Sequence, residues 1–138
     1  MAVSVLLDTC AAIWLMAGDS LSEASRALLL DARATNVGIY VSPFTAWEIG
    51  MLVAKDRVQL ALSPEAWFEA LLAIPDIRLA SLTPAILLAS TVLPGTPPSD
   101  PADRIIVATA RTLDLVVITR DRQMLDYGDQ GHLRAITC

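Results

Sequence analysis

The chain has 138 residues, which fits one domain, residues 1–138, built around one core. With 54% hydrophobic and 18% charged residues, it is not an intrinsically disordered segment. Its formal net charge of −5 excludes nucleic-acid binding through a broad basic surface, although nine of the ten basic residues are Arg, the side chain best suited to bidentate phosphate contacts.

The apolar run Val3 to Leu7 reads as a buried strand ending at Asp8, followed by a short helix from Thr9 to Ala17. Ser20 and Glu23 have the spacing of a capping box, which predicts a second helix through about Ala34. Asn36-Val37-Gly38 is turn-like and Ile39-Tyr40-Val41 is a second buried strand. Ser42 as N-cap and Pro43 in the first helical position start a third helix, which carries Trp47, Glu48, Ile49 and Leu52. Ser63-Pro64 repeats that signal for a helix through Ala73. A strand from Ile77 to Ala80 follows, and Thr83-Pro84 opens a helix ending near Leu93. The proline-rich loop Pro94 to Pro101 then leads into a helix from about Ala102 to Leu113. Leu115 to Ile118 reads as a strand covered on both faces, ending at Thr119-Arg120-Asp121. A short helix and a weak edge strand, Arg134 to Ile136, finish the chain. This alternation predicts a three-layer α/β/α fold around a central, mostly parallel sheet of about four to five strands.

Several classes of function drop out. No stretch offers the roughly 20 apolar residues of a bilayer span. The run from Val3 to Ala17 is broken by Asp8 and lacks the basic flank of a signal peptide. Cys10 and Cys138 are the only cysteines, and without CxxC spacing they suggest neither a disulfide framework nor zinc, which fits a reducing cytoplasm. The glycine signatures of nucleotide-binding loops are missing. Mean hydropathy is high, +0.54, which fits either an Ala- and Leu-rich core or apolar surface covered by a partner.

Ligands of open parallel sheets bind beyond the carboxyl ends of the strands. Asp8 and Asp121 both stand there, and if their strands are neighbours the two carboxylates share one crevice. Glu48 lies at the edge of an inward stripe of Thr45, Ile49 and Leu52, where a carboxylate needs a partner. Asp103 opens the helix after the proline-rich loop, three residues beyond Asp100. An acid in a first turn also complements the helix dipole, by roughly 0.3–1 kcal/mol. Converging carboxylates repel unless a cation compensates them. An all-oxygen set without His or Cys suits Mg²⁺ (or Mn²⁺), which activates water and stabilises charge on a reacting phosphate.

Four segments occur in order: Leu6-Leu7-Asp8-Thr9, Val41 to Ile49, Asp100 to Ala110, and Val117-Ile118-Thr119-Arg120-Asp121. Together they resemble PIN domains, in particular the VapC toxins of bacterial toxin–antitoxin pairs. The resemblance implies a PIN-like fold and a metal-binding, catalytic quartet of Asp8, Glu48, Asp103 and Asp121. Asp100 matches a further acid, while Thr119 and Thr9 match supporting hydroxyl residues. It also implies endoribonuclease activity on RNA, a homodimer, and inhibition by a cognate VapB-type antitoxin. Many relatives carry His where Cys10 stands and a His or basic residue where Pro97-Pro98-Ser99 stands, which bears on substrate preference.

Other residues have competing readings. Arg104 and Arg120 are candidate phosphate contacts, as are Arg111 and Arg122; otherwise they are surface charges or ion-pair partners. Trp14, Trp47 and Trp67 suit core or interface better than base stacking. Cys10 reads as a packing residue whose thiol pKa neighbouring acids raise, His132 as exposed, and Asp114 and Asp126 as surface acids. A phosphoacceptor built on Asp8 lacks a second nearby Asp and a late Lys, since Lys55 is mid-chain. The remaining alternative is a non-catalytic PIN-like module that binds RNA or protein.

Overall fold

The computed structural model describes residues 3–138, so the first two residues of the expected domain lie outside the described residues. Its strands are β1 (Val5–Leu7), β2 (Ile39–Val41), β3 (Ile77–Leu79), β4 (Val116–Thr119) and β5 (Ala135–Thr137). Between them run α1 (Thr9–Ala17), α2 (Glu23–Ala34), α3 (Pro43–Ala54), α4 (Pro64–Ala73), α5 (Pro84–Ala89), α6 (Pro101–Leu113) and α7 (Arg122–Asp129). The strands form one sheet in the order β3-β2-β1-β4-β5, and every neighbouring pair is parallel.

Alternation along the strands divides the core. Val5, Leu7, Ile39, Val41 and Ile118 face a layer formed by α1 to α4, where Leu29, Ile49, Trp67 and Leu71 are buried. Leu6 and Val117 face the other way, onto Ile106, Val107, Ala110, Met124 and Tyr127 of α6 and α7. Each strand of the centre is therefore apolar on both faces, as parallel strands under two helical layers must be. The result is the expected α/β/α sandwich.

Strand ends shift by one or two residues from expectation, and two helix boundaries differ for reasons that can be traced. Ser22, not Ser20, caps α2: its hydroxyl accepts from the Ser25 amide at 3.0 Å and donates to the Thr137 carbonyl at 2.7 Å. Anchorage to the edge strand decides the cap, and Glu23 becomes the first helical residue rather than the reciprocal partner of a capping box. The helix opened by Thr83 stops at Ala89 instead of running toward Leu93. The hydroxyls of Ser90 and Thr91 turn back onto the carbonyls of Leu87 and Leu88, at 2.6 and 2.7 Å, and compete with helix propagation.

Among the described residues, no helix is long and apolar enough to cross a membrane. Leu71, fully buried between α4 and the sheet, tests the packing. Leu71→Ala should lower stability by about 3 kcal/mol, measured by urea denaturation, because it leaves a cavity in a close-packed layer.

Candidate active site

The register of the central strands places the acids. Leu7 of β1 lies opposite Val41 of β2 and Ile118 of β4, so all three strands end together at one edge. Strand order reverses between β1 and β4, the switch point at which such sheets bind ligands. Asp8 follows β1 directly and its amide donates to the Ile118 carbonyl at 3.2 Å.

Asp8 is the N-cap of α1 and only 5% exposed. Its Oδ1 accepts from the Ala11 amide at 2.7 Å, and its Oδ2 accepts from the Thr119 hydroxyl. Thr119 Oγ1 in turn accepts from the Asp121 amide at 2.9 Å. Asp121 caps α7 through the Met124 amide at 2.9 Å, and Asp100 caps α6 through the Ala102 amide at 3.1 Å. Three acids thus sit at helix N-termini, whose positive ends offset part of their charge. Asp103 stands in the first turn of α6, half-buried. Glu48, on α3, accepts from the Thr9 hydroxyl at 2.7 Å. With its only proton committed there, Thr9 accepts from the buried hydroxyl of Thr45, 3.2 Å away.

The acids also feel one another electrostatically. Burial pushes the Asp103 carboxyl up to about 7, reinforced by Asp121, Asp100, Glu48 and Asp8. Glu48 is raised by burial, against the pull of the Thr9 hydroxyl, with further push from Asp100 and Asp8. Asp8 is raised by burial, against its Thr119 and Ala11 hydrogen bonds, with Asp121 adding to the rise. Cys10 lies beside the same cluster. Loss of solvent, then Asp8, Glu48, Asp103 and Asp121, push its thiol up to about 11. The residue keeps an exposed surface even so, which corrects its reading as a packing residue.

Among the described residues, the ion pairs join Arg33 to Asp76 and Arg134 to Asp114, leaving the clustered acids without a basic partner. The donor set is all oxygen and repels itself, which fits a hard divalent cation. No three ligating side chains are already gathered as a cage among the described residues; each carboxylate is held by its own hydrogen bonds.

Of the arginines considered for phosphate, Arg104, Arg111 and Arg120 are occupied within the protein, whereas Arg122 is exposed. Arg104 donates to the carbonyls of Ser90 and Pro98, at 2.9 and 3.3 Å. Arg120 donates to those of Cys138 and Ser20, at 3.1 and 3.4 Å, and lies 3.9 Å over the Trp14 ring. Trp67 is core, whereas Trp47 is 57% exposed and stacked on Phe44. His132 is half-buried against Tyr127 rather than exposed. Thr45 was not singled out for the site from sequence; a lone hydroxyl on the inward stripe, three residues before Glu48, is the signal that finds it.

Comparison with known proteins bears on the family and the fold. The family model described as PIN domain matches residues 5–130. The chain belongs to the PIN-domain family. Ribonuclease VapC22 of Mycobacterium tuberculosis (strain ATCC 25618 / H37Rv) is 29% identical over 136 residues, covering 97% of each chain. The crystal structure of VapBC2 from Rickettsia felis, bound to a promoter DNA fragment, contains a chain of the same fold. It superposes with a TM-score of 0.60 at 10% identity, over 97% of this chain and 98% of that one. In this PIN domain the acids gather at the switch point between β1 and β4.

Two outcomes follow for the protein without added cation. Asp103 holds its proton more tightly folded than unfolded, so its contribution to stability falls as pH rises from about 4 to about 7. Asp103→Asn should therefore raise the thermal midpoint at pH 8 and lose that advantage at pH 4. Water reaches part of this carboxyl and screens it, so the gain expected is about 1 kcal/mol, or about 4 °C. Thr119→Val keeps the shape but strips a hydroxyl from between Asp8 and the Asp121 amide. Urea denaturation should show a loss of about 2 kcal/mol.

Proposed function

We propose that this PIN domain is a metal-dependent endoribonuclease, the toxin of a VapBC-type toxin–antitoxin pair acting in the cytoplasm. The observation that carries the reading is the gathering of Asp8, Glu48, Asp103 and Asp121 at one sheet edge without basic partners. The name of the M. tuberculosis relative supports ribonuclease chemistry, and the R. felis assembly supports a VapB-type antitoxin as partner. Exposed apolar side chains, including Trp47, Leu88 at 69% and Val92 at 78%, fit coverage by an antitoxin and by a second copy in a homodimer.

Asp8, Glu48, Asp103 and Asp121 would hold Mg²⁺ or Mn²⁺, with Asp100 beside them. When bound, the ion supplies an activated water and charge stabilisation on the scissile phosphate. The chain's own groups orient the reaction. Thr119 keeps Asp8 and Asp121 in register, and Thr9 turns Glu48 into the crevice. Asp103, raised by burial and its acidic neighbours in the metal-free protein, would be held ionised as a ligand once the ion is bound. Water oxygen bonds to phosphorus, the bond to the leaving ribose oxygen breaks, and that oxygen gains a proton.

Purified protein freed of antitoxin should cut a mixed cellular RNA pool into discrete fragments with Mg²⁺ or Mn²⁺. EDTA should abolish cleavage, and Asp8→Asn or Asp103→Asn should reduce it at least about 100-fold with circular dichroism unchanged. Equal cleavage by both variants would remove the catalytic assignment; no cleavage by folded wild type would favour a non-catalytic binding module.

A further inference from the structure

The loop from Pro94 to Asp100 delivers Asp100 and Asp103 to the crevice, yet it has no strand or helix of its own. It is instead laid along one face of α7, the helix that Asp121 caps. Gln123, Tyr127 and Gln130, spaced four and three residues apart, line that face at the helix and its C-cap. The buried Tyr127 hydroxyl donates to the Pro94 carbonyl at 2.6 Å. Gln130 takes the Thr96 amide on Oε1 at 3.0 Å and gives its amide to the Thr96 carbonyl at 3.3 Å, so one side chain pairs both backbone groups. Gln123 Oε1 accepts from the Ser99 amide at 2.9 Å, immediately before Asp100. From the other side, Arg104 donates to the Pro98 carbonyl at 3.3 Å.

The fit is close at Gly95, where a side chain would have to displace the groups facing it. Its φ is +67°, and a Cβ there would stand 2.7 Å from the His132 ring and 2.9 Å from Gln130 Oε1. The loop backbone therefore lies directly on α7 and the turn after it.

We infer that Gln123 and Gln130 are positioning residues that latch this loop to α7 and so set Asp100 and Asp103 in register with Asp121. The inference needs no direct approach of either glutamine to substrate. One helix carries an acid at its N-terminus and, along its side, the template for the loop that brings the other two. The Ala102 amide, bonded to the Asp100 carboxylate at 3.1 Å, reports whether that register holds. For its effect on catalysis the inference rests on the function proposed above; for its effect on geometry it does not.

The test uses the full chain with Gln123→Met and Gln130→Met, singly and together, which keep bulk but remove the hydrogen bonds. Amide exchange at Thr96, Ser99 and Ala102 should accelerate at least about tenfold in the double variant, with the thermal midpoint within about 2 °C. Mn²⁺ affinity by calorimetry should fall about fivefold, and kcat for RNA about tenfold with KM unchanged. Gln123→Glu, which keeps an oxygen facing the Ser99 amide, should restore protection at Ser99 and Ala102. If Thr96 and Ser99 open while Ala102 stays protected and Mn²⁺ affinity and kcat stay unchanged, the latch does not position the acids. If wild type neither binds Mn²⁺ nor cuts RNA, the proposed function fails, and Ala102 exchange alone decides the latch.

Discussion

The Thr119 hydroxyl stands between two acidic segments that would otherwise move apart. It donates to Asp8 Oδ2 and accepts from the Asp121 amide, and with one proton and its lone pairs it satisfies both. It can do this because β1 and β4 pair in a register that ends both strands together, with Thr119 the last residue of β4 and Asp8 the first after β1. A slip of one residue would turn Thr119 to the opposite face and separate the carboxylates. The register is fixed in turn by the two apolar layers, since Leu7 and Ile118 face one core while Leu6 and Val117 face the other. Sheet packing and the site are thus one constraint seen at two scales.

That constraint gathers charge where water is scarce, and the compensations are only partial. Helix N-termini and hydroxyl donors hold Asp8, Asp100, Asp121 and Glu48 one by one. Burial nevertheless wins at Asp8, Glu48 and Asp103, all of which are raised. A fold optimised for stability alone would place Asn or Ser at these caps, which bond the same amides without the repulsion. Retaining carboxylates there stores repulsion that a cation of the proposed kind would relieve, in keeping with stability being given up at functional sites.

Strands, most helix starts and a mostly parallel sheet were legible from local pattern; that every pair is parallel was not. Ser42-Pro43, Ser63-Pro64 and Thr83-Pro84 each mark a helix because the cap and the fixed proline φ act within a few residues. The α2 cap was not legible, because Ser22 is chosen over Ser20 by the Thr137 carbonyl, far away in sequence. The end of α5 turned on hydroxyls that fit a helix as well as they break one. At the site, Asp8 and Asp121 were visible from strand ends, and Asp103 and Glu48 from their resemblance to a family pattern. The Thr45–Thr9–Glu48 chain and the glutamines of α7 were not, since each is a long-range pairing of residue types common on any surface.

Net charge, the feature that argued most against a nucleic-acid substrate, reads differently once the acids are placed. Acids outnumber bases by 15 to 10, and the surplus equals in number the five carboxylates of the crevice: Asp8, Glu48, Asp100, Asp103 and Asp121. Elsewhere the chain is balanced, so repulsion of a polyanion is concentrated at the place where the proposed divalent cation would reverse it. Arg104 and Arg120, two of the candidates for drawing in phosphate, are turned inward onto backbone carbonyls, where they hold the loop before α6 and the end of β5. Affinity built on a lining of arginines would bind RNA with or without metal. Under the proposed function, affinity that depends on filling an acidic crevice would make RNA binding and cleavage conditional on the same ion, and the apo protein would discriminate against that substrate.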